Sequence, residues 1–150
     1  MATDKNFVIP ANAPPEDFVV LDTSDTDLAV GEIVKMTSNK PEAVSVDESS
    51  DTICGVVKSI FKNAAGNVTK AEIYLGDRLK MPVPSSHLMP SIGDPVYAAS
   101  KSAVAGDDGG VATSAAPLGR TLETGGTAGA GYAWISCHWP FWNTQAADAS

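Results

Sequence analysis

This chain has little of what most protein chemistry requires. Of its 150 residues two are cysteine and two are histidine, and lysine and arginine number 10 against 18 aspartates and glutamates. The formal charge of -8 leaves no basic run, which argues against a phosphate backbone as partner, because that needs clustered Lys and Arg. No apolar run approaches the ~20 residues of a membrane-spanning helix. Met1-Ala2-Thr3-Asp4-Lys5-Asn6 lacks the charged and apolar regions of a signal peptide. Synthesis in a cytoplasm is expected, with no nucleic acid and no membrane partner. Cys54 and Cys137 each lie in an apolar, strand-like run and are expected as buried, reduced thiols that pack as small hydrophobes.

The scarcity extends to catalytic and metal-binding patterns. Cys137 and His138 are adjacent, so on a strand they point to opposite faces, and His87 has no second ligand at zinc spacing. The acids Asp47, Glu48 and Asp51, and the pair Asp107 and Asp108, lack the alternating ligand spacing of a calcium loop and are read as solvated turn residues. The glycine-rich stretch 125–131 has no Gly-Lys-Ser/Thr end and no helix pattern after it, so it is read as a hairpin loop rather than a phosphate loop. No Gly-x-Ser-x-Gly element is present. The chain is therefore read as a non-enzyme, with no metal and no cofactor.

What is present is the material of short strands. Gly and Pro number 13 and 10, and no apolar 3.6-residue period persists over three turns. Apolar runs recur at about the 8 to 12 residue spacing that marks sandwiches and barrels. The expected fold is all-β, a single small barrel or sandwich domain over residues 18–142 with roughly ten short strands. An extended arm over residues 1–17, broken by Pro10, Pro14 and Pro15, precedes it, and a flexible tail over residues 143–150 follows. Within the arm, Phe7-Val8-Ile9 is a candidate edge strand, for this fold or for a neighbour.

Residues 33–36 are expected to turn at 38–41 into a strand over 43–46. The strongest strand, 52–61, is apolar on both parities and is expected to be buried on two sides, Ile53, Val57 and Phe61 on one and Cys54, Val56 and Ile60 on the other. Pro82 and Pro84 confine the strand over 78–83 to a sheet edge or a strand end. A helical turn is expected at 85–90 and a tight hairpin turn at 107–110.

Two stretches echo one another. Ala29-Val30-Gly31-Glu32-Ile33-Val34-Lys35 and Ser91-Ile92-Gly93-Asp94-Pro95-Val96-Tyr97 both run from a glycine able to take positive φ, through an acid able to accept backbone N–H bonds, into a strand. Gly31, Gly93 and Asp94 are accordingly expected as structural turn residues, and Gly55 and Gly119 are assigned to the same class. All three tryptophans fall near the C-terminus. Trp134, within a strand, is expected to fill the barrel, whereas Trp139, Phe141 and Trp142 flank Pro140 and either fold back under the barrel or meet another subunit.

Taken in order, Gly31-Glu32-Ile33-Val34, Cys54-Gly55-Val56-Val57-Lys58, Gly93-Asp94-Pro95-Val96-Tyr97, Leu118-Gly119-Arg120-Thr121-Leu122 and Gly131-Tyr132-Ala133-Trp134-Ile135 resemble the capsid decoration, or cement, proteins of tailed bacteriophages. The resemblance covers about residues 28–139, with Gly55 and Gly119 at matching strand positions. It implies a structural virion protein on the outer capsid surface, bound to the major capsid protein at capsomer junctions of the expanded head, commonly as a homotrimer at local three-fold positions. It implies capsid stabilisation against internal DNA pressure and no chemistry. An N-terminal arm that pairs with a shell strand is part of that picture, with Phe7, Val8 and Ile9 as the matching residues; deleting residues 1–15 is then expected to abolish shell binding and leave the barrel folded. The alternative is a head-fibre or adhesin module binding host-surface glycans, with Trp139, Phe141 and Trp142 stacked on sugar rings.

Overall fold

The computed structural model describes residues 6–43, 52–84, 87–106, 117–126 and 131–142. The expected acidic loop at 47–51, the turn at 107–110, residues 44–46 and 111–113, most of the glycine loop and the tail 143–150 lie outside these residues. The fold is all-β. Ten strands are formed: β1 (Phe18–Asp22), β2 (Ile33–Thr37), β3 (Lys40–Ala43), β4 (Ile53–Lys62), β5 (Val68–Tyr74), β6 (Arg78–Val83), β7 (Pro95–Ser100), β8 (Ala103–Ala105), β9 (Gly119–Gly125) and β10 (Gly131–Cys137). They pair antiparallel in two five-stranded sheets, ordered β1-β5-β4-β2-β3 and β6-β10-β9-β7-β8. Each sheet curls until its edges approach, β1 towards β3 and β6 towards β8.

The second order is the first displaced by five strands, and the repeat holds at the level of register. Val19 faces Ile73 as Leu79 faces Ile135. Ile33 faces Val56 as Pro95 faces Arg120. Both sheets bulge at the same place, β4 passing over Lys58 and β9 over Leu122. The two echoing stretches are the turns that enter β2 and β7. Gly31 and Gly93 share φ 90. The Ala29 N–H donates to Glu32 Oε1 at 2.9 Å, and the Ser91 N–H to Asp94 Oδ2 at 3.1 Å. The Gly31 N–H donates to the Val57 carbonyl at 2.9 Å and the Gly93 N–H to that of Thr121 at 2.8 Å, and the Val57 and Thr121 N–H groups return bonds to the Glu32 and Asp94 carbonyls. The chain is thus two versions of one five-stranded unit, and the acid in each turn satisfies an N–H that the turn would otherwise leave without a partner.

The units are joined through one face. Leu28, Val34, Cys54, Val57, Ala71 and Ile73 fill the first sheet's curl. Their chain neighbours Ile33, Ile53, Val56 and Tyr74 project from the opposite face into the second unit's interior, packing with Leu79, Met81, Val96, Leu118, Ala133 and Ile135. The Ile33 N–H donates across to the Lys101 carbonyl at 2.6 Å. Beside it, the buried Glu32 places Oε2 3.2 Å from Lys101 Nζ. Pro95, the counterpart of Ile33, has no N–H to offer.

Four expectations are corrected. The 52–61 strand is buried on two sides, but Ile53 and Val56 share one core while Cys54 and Val57 share the other, because a bulge opposite Val34 and Lys35 inserts Cys54 between paired residues. The Lys58 bulge then shifts the phase again, leaving Phe61 46% exposed. The β2–β3 connection is tighter than expected: Ser38 and Asn39, at φ 51 and 66, make a two-residue turn, and Pro41 sits inside β3, where an edge strand tolerates it. Residues 87–90 of the expected helical turn are not helical.

Gly55 and Gly119, expected at turns, lie instead within β4 and at the start of β9, in equivalent places where two strands come too close for a side chain. A Cβ on Gly55 would strike the Tyr74 carbonyl, and one on Gly119 the Ser136 carbonyl. Gly55→Ala and Gly119→Ala are each expected to lower stability in urea denaturation by about 3 kcal/mol, since a paired backbone cannot move aside. Gly66→Ala, with nothing within 4 Å of its Cβ, should cost only about 1 kcal/mol, for its positive φ.

Candidate functional site: the arm, the terminal aromatics and an outer groove

The arm lies on the body of its own chain. Val8 pairs with Lys80 on the outer edge of β6, each N–H donating to the other's carbonyl at 3.0 Å. Phe7 packs over Gly31, and Phe7, Ile9 and Ala13 are partly buried against the shared core. The Asn6 side-chain amide donates to the Gly131 carbonyl at 3.4 Å. Of the two destinations open to Phe7-Val8-Ile9, the structure shows this fold, with Phe7 bridging to the first unit and Val8 to the second. The arm is therefore not separate from the domain: its apolar side chains cover core that a 1–15 deletion would uncover.

The terminal aromatics fold back. Trp139 is 4% exposed and its indole N–H donates to the Gly76 carbonyl at 2.9 Å. The Trp142 indole N–H donates to the Cys54 carbonyl at 2.7 Å, and its ring meets Phe141 edge to face at 4.8 Å. Phe141 packs against the first unit's core, and Trp142 against both. Both indole donors are thus engaged within the chain.

Trp134 does the reverse of what was expected. In β10 the small and aliphatic residues Ala133, Ile135 and Cys137 point inward, so Tyr132 and Trp134 stand on the outer face. The Arg78 guanidinium lies 5.5 Å from the Trp134 ring centre and Lys80 Nζ 4.2 Å from that of Tyr132, two cation–π pairs side by side. Alternation of Tyr132, Trp134, Ser136 and His138 with Ala133, Ile135 and Cys137 carries this signal, but the size of the tryptophan obscures it. A groove of about 390 Å³ opens between this face and the arm, lined by Asn12, Asp17, Asp77, Arg78 and Trp134 among others. Partial desolvation, then the neighbouring Asp77 and Glu16, hold the Asp17 carboxyl above its ordinary range.

The remaining sequence-predicted residues, Gly31, Gly55, Gly93, Asp94 and Glu32's turn partner Ala29, are architectural, as is Gly119; none lines the groove. Cys54 and Cys137 are buried in different cores. Desolvation pushes the Cys54 thiol up to about 12 and the Cys137 thiol higher still. Among the described residues no cluster of His, Cys, Asp or Glu is placed to hold a metal ion, and no helix is long and apolar enough to cross a membrane. No protein-family model matches this chain, and no curated protein matches it in sequence.

Two measurements follow from these positions. Trp139→Ala should cost the isolated protein about 3–5 kcal/mol, as a core truncation does, and Trp142→Phe, which removes one hydrogen bond, about 1 kcal/mol. Because a raised thiol pKa keeps sulfur protonated, both cysteines should resist a thiol-titrating disulfide reagent at pH 8 and react together once urea unfolds the chain.

Proposed function

We propose that this chain is a structural docking protein of the capsid-decoration type, bound to the outer surface of an expanded phage shell at capsomer junctions. What supports the reading is where the resembling residues lie. The glycine-acid entries at Gly31 and Gly93 and the close-approach glycines Gly55 and Gly119 are equivalent positions of a repeated unit, so the shared motifs are the ones that set the architecture. Its partner is the major capsid protein, met by three copies around a local three-fold position. The acidic surface, at a formal charge of -8, suits a protein on the side of the shell away from packaged DNA.

The mechanism is linkage. A ligand that binds the expanded lattice and not the compact one stabilises the expanded form by RT ln(1 + [L]/Kd), about 2.7 kcal/mol per site at a hundredfold excess over Kd. Repetition over the shell makes the effect large without any single strong contact. The arm, held by one two-bond bridge and three apolar side chains, is the segment most easily rearranged on docking.

A second reading, a glycan-binding module, now rests on Trp134 rather than on the terminal aromatics, whose indole donors are occupied within the chain.

Co-sedimentation with expanded and unexpanded shells separates these readings. Saturable pelleting with expanded shells alone is the expected result. Equal binding to both forms, or to neither, contradicts the decoration role, and quenching of Trp134 fluorescence by host glycans in the absence of shell binding would favour the second reading.

A further inference from the structure

The repeat identifies a strand edge that the described residues leave open. In β6 the bond from the Cys137 N–H to the Asp77 carbonyl fixes which residues face β10, and Lys80 falls in the other phase, pointing its N–H and carbonyl outward. Val8 takes both groups. In the first unit the Leu75 N–H to Asp17 carbonyl bond at 2.8 Å and the Thr23 N–H to Thr69 carbonyl bond at 3.0 Å fix the same phase for β1 against β5. Val20 is the counterpart of Lys80 and Asp22 that of Pro82. The N–H and carbonyl groups of Val20 and Asp22 therefore point away from the sheet, and among the described residues nothing pairs with them. Val20 is 52% exposed. The edge of β1 also offers one donor more than the edge of β6, where Pro82 has no N–H.

Charge says what fits. Glu16 and Asp17 stand at one end of this edge and Asp22, Asp25 and Asp27 at the other. The nearby cations are each engaged: Lys58 lies 5.3 Å from the Phe18 ring centre and 3.3 Å from Glu72, opposite Val20, Lys70 lies 3.7 Å from Asp22, and Lys40 lies 3.4 Å from Ser24, so the acids at the two ends outnumber them. We infer that the outer edge of β1, at Val20 and Asp22, takes an extended segment of a partner protein that is apolar at its centre and basic at its ends, adding a strand as the arm adds one to β6. This deepens the docking role proposed above and rests on it.

The probe is the peptide Lys-Lys-Phe-Val-Ile-Lys-Lys, which places the arm's own apolar triplet between basic ends, titrated into the full chain and followed by amide NMR. The Val20 and Asp22 amides should shift together and gain protection from exchange. A glutamate-flanked version should bind at least ~10-fold more weakly, a difference that shrinks as salt screens the charges. Asp22→Pro removes one outward N–H at a position where β6 already carries proline, so the fold should tolerate it while peptide affinity falls about fivefold, the worth of one hydrogen bond. Val20→Lys, on the exposed face, is a second variant that keeps the backbone and should weaken the peptide by opposing charge. Absence of shifts at Val20 and Asp22 with peptide in the millimolar range, or shifts centred on Val8 and Lys80 from displacement of the arm, overturns the inference. Failure of the wild-type chain to pellet with expanded shells overturns the shell reading alone; the peptide titration decides this edge separately.

Discussion

The structure depends on one apolar contact, the insertion of Ile33, Ile53, Val56 and Tyr74 from the back of the first sheet into the open curl of the second. A five-stranded sheet curled on itself has a core too small to stand alone, and here the second unit is completed by the first. The counterparts of these residues on the second sheet are Pro95, Pro117, Arg120 and Ser136, none of them buried. The same surface is a joint in one unit and a solvated end in the other. Tyr74 also ties the junction covalently close in sequence, its hydroxyl donating to the Arg78 carbonyl at 2.6 Å where the chain passes from one unit to the next. Burial raises that hydroxyl's pKa to about 12, so it stays a donor at any physiological pH.

Much of this was legible in the sequence, and the limits have physical causes. Strand positions followed from apolar runs between turn residues, and proline limited 78–83 to an edge or a strand end, of which β6 takes the edge. The echo between Gly31-Glu32 and Gly93-Asp94 was visible, but the repeat it belongs to was not. The inward positions do match, Val34 with Val96, Gly55 with Gly119 and Ile73 with Ile135, but on the other face Ile33 is matched to Pro95 and Tyr74 to Ser136, because that face is buried in the first unit and solvated in the second. Parity misled along β4, since each bulge adds one residue and moves the following side chains to the other face. Size misled at Trp134: a wide ring suggests a core, yet the inward positions of β10 accept only Gly131, Ala133, Ile135 and Cys137, and the large cavity-filling aromatic is Trp139, beyond the strand.

Both cores are buried, and among the described residues the outward parts are strand edges and the β10 face that carries Tyr132 and Trp134. β6 is bridged by the arm at Lys80, β1 is unpaired at Val20 among the described residues, and the terminal aromatics seal the two units together, Trp142 touching both cores. Backbone donors and acceptors along a strand edge are groups that an added strand can pair with.

The shared core makes a direct thermodynamic demand, that neither unit unfolds without the other. The measurement is equilibrium urea unfolding followed at once by tryptophan fluorescence, which reports the second unit and the C-terminal segment, and by far-UV circular dichroism, which reports both sheets. The two curves should coincide in one transition for the wild-type chain, and both should move together to lower urea in Tyr74→Ala. Two separated transitions, or a Tyr74→Ala shift seen by one probe alone, would contradict a fold built on that contact.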